Sequence, residues 1–138
     1  MNTLTFDQVN IGHKERFSRK FSREDIEIFT RLSGDHNPLH TDQNYAESTE
    51  MGGTIIHGMF AASQFSTLVG MYLPGKYCLY LSQILEFRRP IYPDKEIFIE
   101  GEVIQKFDSL KIIEIETKIF SELGDLLISG KARVKILR

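Results

Sequence analysis

The second half of the chain contains four hydrophobic runs of strand length. They are rich in Ile, Val, Phe, Tyr and Thr, and turn signals separate them. The runs cover residues 77–87, 95–107, 110–121 and 126–137. Alternation is clearest in the third run, where Ile113 and Ile115 share one face and Glu114 and Glu116 share the other. Consecutive runs joined by tight turns predict an antiparallel meander.

The first half predicts a short strand followed by an amphipathic helix. Residues 15–21 alternate loosely between polar and apolar positions. Ser22 and Asp25 resemble a capping box with Asp in place of Glu. Apolar residues then follow at helical spacing, and Gly34 is typical of a residue that ends a helix. The pattern therefore predicts a helix at about residues 23–33.

A second helix is predicted from His57 or Gly58 to Leu73, where Pro74 ends it. Its apolar side chains cover nearly the whole circumference, and the segment has no full charge after His57. A helix of this kind lies inside a protein, and it is shorter than the ~20 residues needed to cross a bilayer. The simplest packing curls the antiparallel sheet around this long central helix. That arrangement is an α+β fold, and we expect residues 1–138 to form a single domain.

Composition and charge exclude some partners. The formal net charge is −2 and Arg88-Arg89 is the densest basic spot, so we expect no nucleic-acid partner. No uncharged apolar run approaches the ~20 residues of a membrane helix, so no membrane partner is expected. The N-terminus lacks the features of a secretory signal, and Cys78 is the one cysteine. These features favour a reducing, cytoplasmic location.

Residues 33–42 form the first segment with candidate chemistry. Pro38 disfavours helix at the residue before it, so we interpret the segment as a tight irregular loop. Such a loop can direct the Asp35 carboxylate and the His40 imidazole at one water, whose proton they share. The Asn37 amide can fix either partner or the substrate. Alternatively, Asp35 and Asn37 only cap the following turn, and His40 is a surface residue.

The start of the predicted central helix is the second such segment. Free N–H groups and the positive end of the helix dipole favour an anion there. Because Gly58 has no Cβ, a ligand carbonyl can approach its N–H, which is half of an oxyanion hole. Alternatively, Gly58 is a close-packing site and His57 is a satisfied polar residue.

No sequence motif indicates a cofactor. The four His and the one Cys lack the spacing of zinc ligands. Ser63 and Ser66 lack the elbow motif of serine hydrolases. We therefore expect no metal and no other cofactor.

Together, these segments resemble the MaoC-like dehydratases, specifically the (R)-specific enoyl-CoA hydratases of the hot-dog fold. The matching stretches are Leu32 to Asp42 with Ala46, His57-Gly58-Met59, and more weakly Phe87 to Ile91. The resemblance covers roughly residues 11–138. It implies an antiparallel sheet wrapped around the central helix, with an overhanging loop segment that carries the catalytic pair.

The resemblance also implies roles for individual residues. Asp35 and His40 correspond to the pair that orients and deprotonates water, and Asn37 to a residue that supports them. The Gly58 amide corresponds to the donor to the thioester carbonyl. Substrate-binding positions correspond to His57, Met59 and Ser66.

The implied activity is the reversible addition of water to trans-2-enoyl-CoA, giving (R)-3-hydroxyacyl-CoA. Coenzyme A is then part of the substrate, and the implied assembly is a homodimer whose sheets join edge to edge. One alternative is a 3-hydroxyacyl dehydratase acting on an acyl-carrier-protein substrate. Another is a non-catalytic acyl-CoA-binding module, and the motifs fit a hot-dog thioesterase less well.

Overall fold

A five-stranded antiparallel sheet is the framework of the protein, which the computed structural model describes over residues 1–138. The strands are β1 (Lys14–Lys20), β2 (Cys78–Phe87), β3 (Glu96–Phe107), β4 (Ile112–Ser121) and β5 (Leu126–Ile136). All five predicted strands are confirmed, and each observed end lies within two residues of the predicted one. The predicted apolar face of β4 is also confirmed, because Ile113 and Ile115 are fully buried.

The strand order is β1-β3-β4-β5-β2. Only β3, β4 and β5 form the predicted meander, and its extension to β2 is wrong, because β2 pairs with β5 at the edge opposite β1. The connection from β2 to β3 explains the difference. It covers residues 88–95 and includes Pro90 and Pro93, which is longer than a tight hairpin turn and lacks two backbone donors. The chain therefore passes the positions of β5 and β4 before β3 begins next to β1.

Five short helices accompany the sheet. They are α1 (Arg23–Ser33), α2 (Pro38–Thr41), α3 (Gln43–Glu47), α4 (Gly58–Ala62) and α5 (Gln64–Thr67). The predicted bounds of α1 are confirmed. Ser22 Oγ accepts the Asp25 N–H, and the Asp25 carboxylate accepts the Ser22 N–H at 2.8 Å. At the other end, Gly34 adopts a left-handed conformation with φ of 78° and donates to the Thr30 carbonyl.

The predicted central helix is a helical run of residues 58–72. It consists of α4, α5 and a π-helical turn at Leu68–Tyr72, so it is less regular than one continuous α-helix. The sheet covers one side of the run, where Ala61, Phe65 and Leu68 are buried, whereas Met59 and Met71 are exposed. In a single chain the sheet therefore covers this helix on one side only. None of the helices is long and apolar enough to span a membrane.

Two hydrophobic clusters hold the helical run against the sheet. In one, Phe65 and Leu68 pack with residues that include Ile97 and Ile99 of β3. At Gly101 of β3 there is no room for a side chain, because a Cβ would lie only 2.6 Å from Leu68 Cδ2. Glycine in this strand lets the helix sit directly on the sheet. This packing fixes the start of the helical run, where the candidate site is found.

Candidate active site

The turn at residues 34–37 is built by side chains that accept backbone N–H groups. Asp35 Oδ1 accepts the Asn37 N–H at 3.1 Å, and Asn37 Oδ1 accepts the Leu39 N–H at 2.9 Å. The prediction that residues 33–42 form an irregular loop throughout is wrong after Asn37, because Pro38 begins α2. Proline is well suited to the first helical position, and Asn37 is a good cap. The capping alternative is therefore realised, and it does not exclude chemistry, since the second Asp35 carboxylate oxygen makes no hydrogen bond within the chain.

His40 lies on α2 with a defined tautomer. Its Nδ1 is 2.8 Å from the Ile55 carbonyl, which can only accept, so Nδ1 carries the proton. Nε2 makes no hydrogen bond within the chain and is the ring nitrogen left to exchange a proton. The Ile55 N–H in turn donates to the Leu39 carbonyl at 3.1 Å. This pair of bonds ties α2 to the segment that leads into the central helical run.

His57 lies directly behind His40 and is almost completely buried, with 2% of its surface exposed. The two imidazole rings stack with centroids 3.8 Å apart and an interplanar angle of 27°. His57 Nε2 lies 3.0 Å from the backbone carbonyl of Asp35. Burial lowers the pKa of His57, and the adjacent His40 adds to this effect. A neutral imidazole therefore links the two residues of the predicted pair.

Ligating atoms of Asp35, His40 and His57 lie within 4.8 Å of one another. A tetrahedral metal needs lone pairs that converge on one point at about 2.0–2.1 Å from each nitrogen. Stacked rings direct their in-plane lone pairs side by side and do not converge in this way. A carboxylate beside an imidazole can deprotonate water, so the grouping fits a proton-transfer site, and the expected absence of a metal stays a prediction.

A cavity of about 460 Å³ opens beside this group, and His40, Gly58 and Met59 are among the residues that line it. Gly58 is the first residue of α4, and the first backbone bond inside the helix is made by the Ala61 N–H to the His57 carbonyl. The Gly58 N–H thus has no acceptor within the helix. The close-packing alternative for Gly58 also has support, because a Cβ there would lie 2.8 Å from two ring carbons of Phe87.

The sequence-predicted residues do not all meet at this cavity. Asp35, Asn37 and His57 do not line the cavity, but ligating atoms of Asp35 and His57 lie within 4.8 Å of one on His40, which does. Ser66 is exposed and lies outside the cavity lining, so its substrate role stays a prediction. The lining also contains Arg88 and Arg89, which belong to the weaker Phe87–Ile91 match. Each arginine has an acidic partner, Glu86 for the first and Asp125 at 3.3 Å for the second.

Comparison with known families gives a clear assignment. The sequence profile described as "MaoC like domain" matches residues 7–122, most of the chain. The chain belongs to the MaoC-like family. Among characterised MaoC-like relatives, it is 38% identical to the (R)-specific enoyl-CoA hydratase of Aeromonas caviae, covering 96% of this chain and 99% of that protein. It is 32% identical to a mitochondrial 3-hydroxyacyl-[acyl-carrier-protein] dehydratase of Arabidopsis thaliana, covering 90% of this chain and 75% of that protein.

Solved MaoC-like structures confirm the predicted hot-dog fold. The (R)-hydratase from A. caviae superposes with a TM-score of 0.90 at 39% identity, covering 93% of this chain and 97% of that one. An R-hydratase from Pseudomonas aeruginosa superposes with a TM-score of 0.91 at 29% identity, covering 96% of this chain and 84% of that one. The resemblance stated from the sequence motifs is therefore confirmed for both family and fold.

Proposed function

We propose that this protein is an (R)-specific enoyl-CoA hydratase, which adds water reversibly and on one face to trans-2-enoyl-CoA. One observation carries the proposal: the Asp35 carboxylate and the free Nε2 of His40 lie beside a cavity that also reaches the N–H end of the central helical run at Gly58. This combination offers a base, a second proton carrier and a donor for a carbonyl oxygen. The likeness to the A. caviae hydratase over nearly the whole length of both chains supports the same reaction.

In this mechanism the Gly58 N–H donates to the thioester carbonyl oxygen of the substrate. That hydrogen bond stabilises the negative charge that develops on this oxygen when C3 is attacked. A glycine suits the position because a Cβ would already meet Phe87 and would also stand between the N–H and a ligand. Met59, which is exposed and lines the cavity, would contact the acyl chain.

Asp35 and His40 handle the water and its proton. Asp35 takes one proton from the water while the oxygen forms a bond to C3 and the C2–C3 π electrons move into the enolate. C2 of the enolate then takes a proton from Asp35 directly or through His40 Nε2. The net change is the addition of one water. The cap that Asn37 makes on α2 holds His40 at this point.

A spectroscopic assay with product analysis tests the proposal. Loss of the enoyl-thioester chromophore should be seen with crotonyl-, hexenoyl- or decenoyl-CoA, and chiral analysis should find the (R)-3-hydroxyacyl product. Activity only on acyl-carrier-protein thioesters would select the dehydratase alternative, which the 32% identical relative supports. Release of free thiol would indicate hydrolysis. Saturable binding without conversion would indicate a non-catalytic acyl-CoA-binding module.

We also propose a homodimer formed through β2. This strand is at the sheet edge, and its apolar side chains Leu79, Leu81 and Ile84 are exposed in the single chain. An exposed apolar edge strand pairs readily with another strand. Pairing of two β2 strands would join the two sheets edge to edge and cover these side chains.

Light scattering should give a mass of twice the 15.9 kDa of one chain. Ile84→Lys should shift the mass toward that of one chain, because two charges would be buried at the joined edges. Leu123→Lys is the matched control, since Leu123 is 91% exposed and lies in the β4–β5 turn, outside the edge strand β2. An unchanged mass for Ile84→Lys would contradict the edge-to-edge arrangement.

The proposed location of the enzyme is the cytoplasm. Cys78 is unpaired and half-buried, and burial raises the pKa of its thiol, so little reactive thiolate forms. A single protected thiol fits a reducing compartment.

A further inference from the structure

His57 contacts three separate segments of the candidate site. Its Nε2 lies 3.0 Å from the Asp35 carbonyl and 3.5 Å from Thr30 Oγ1 of α1. Its ring stacks on His40 of α2, and the Phe29 ring meets it edge-on at 5.0 Å. The residue itself is the cap position of α4. A single buried side chain thus connects the Asp35 turn, the His40 helix and the helix that begins at Gly58.

The contact with Asp35 defines the tautomer of His57. A carbonyl oxygen only accepts, so His57 Nε2 carries the proton and donates it to Asp35 O. The other nitrogen, Nδ1, is buried and has no hydrogen-bond partner. Burial of a nitrogen without a partner disfavours folding. We therefore expect the His57 imidazole to have a role in the site as well as in core packing.

We propose that His57 is a positioning residue for the Asp35/His40 pair. Its Nε2–H holds the backbone of the Asp35 turn, and its ring supports the face of His40. The two reacting groups are thereby kept at a fixed separation while water is deprotonated. This inference rests on the proposed hydratase function for its kinetic consequences, although the geometry it describes can be measured without turnover.

The charge state of His57 matters for this role. The ionisable groups that face it are Asp35 and His40, whereas α1 presents the uncharged Phe29 and Thr30. Two cationic imidazoles stacked at 3.8 Å would repel each other. Burial lowers the pKa of His57 and keeps it neutral at physiological pH. His40 can therefore accept a proton during turnover without a second cation against its ring.

A matched pair of variants separates positioning from packing. In His57→Gln the amide nitrogen reaches about as far as Nε2 and can still donate to Asp35 O, whereas in His57→Asn it stops one methylene short. Both variants lose the ring, so the difference between them reports on the donor. We expect the Gln variant to keep kcat within about 10-fold of the native enzyme, and the Asn variant to lose a further ~10-fold or more. KM should change little in either, because His57 is buried and does not line the cavity.

Equal kcat values for the two folded variants would overturn the proposal, as would a loss confined to KM. Nitrogen-15 spectra of the histidine rings test the same geometry without substrate. They should show His57 protonated on Nε2 and His40 protonated on Nδ1 at neutral pH. The opposite His57 tautomer, or a cationic His57, would also overturn the proposal. If the native protein hydrates no enoyl thioester but shows these tautomers, the proposed function fails and the positioning geometry stands.

Discussion

Replacement of Asp35 by Asn is expected to lower kcat for enoyl-CoA hydration by at least about 100-fold while leaving the protein folded. The reason lies in the two carboxylate oxygens. Oδ1 accepts the Asn37 N–H, and an Asn side chain can make the same bond. The second oxygen makes no hydrogen bond within the chain, and in Asn it is replaced by an NH2 group that cannot take a proton from water. The substitution thus removes the base and retains the cap.

Initial rates with crotonyl-CoA, measured beside circular dichroism and thermal unfolding, check this expectation. Asp108→Asn is the matched control, because Asp108 is an exposed acid in the short helical turn between β3 and β4. Its rate should equal that of the native protein. A native rate for Asp35→Asn would mean that Asp35 only caps the turn, and a large drop in its unfolding temperature would mean that the carboxylate is needed for folding.

Local sequence patterns were sufficient to predict most of the secondary structure. Apolar alternation located β4, and the Ser22/Asp25 box with Gly34 located both ends of α1. The pairing of β2 with β5 was missed because strand order depends on contacts between residues far apart in the chain, which alternation does not encode. The π-helical turn at Leu68–Tyr72 was also missed, because the apolar pattern of this segment does not distinguish it from a regular α-helix.

The candidate site shows the same division between local and long-range information. Asp35 and His40 could be selected because the capped Asp-x-Asn-Pro turn brings neighbours in sequence together. Two contacts could not be predicted: the stack of His57 on His40 and the contact of Gly58 with Phe87. They join residues that are 17 and 29 positions apart in the chain. One signal was available for His57: a histidine at the start of an otherwise apolar helix must have a buried partner. The sequence did not identify that partner as the Asp35 carbonyl.

Replacement of His40 by Asn is expected to lower kcat by roughly 10²–10⁴-fold, the range typical of a positioned acid or base. The Asn amide nitrogen occupies about the place of Nδ1, so the bond to the Ile55 carbonyl can persist and α2 stays tied to the helix that follows. Nε2, the atom that faces the water in the proposed mechanism, is lost. Steady-state rates with crotonyl-CoA at saturating substrate measure the effect, and thermal unfolding checks the fold.

The double variant Asp35→Asn with His40→Asn then decides whether the two residues act together. If they share one proton in one step, either single loss already disables that step, and the double variant should be little slower than the worse single one. If they act in separate steps, the free-energy losses should add. Their ligating atoms lie within 4.8 Å of each other, close enough for strong coupling. Additive losses would therefore contradict a shared role. They would mean that one group activates the water and that a different group delivers the proton to C2.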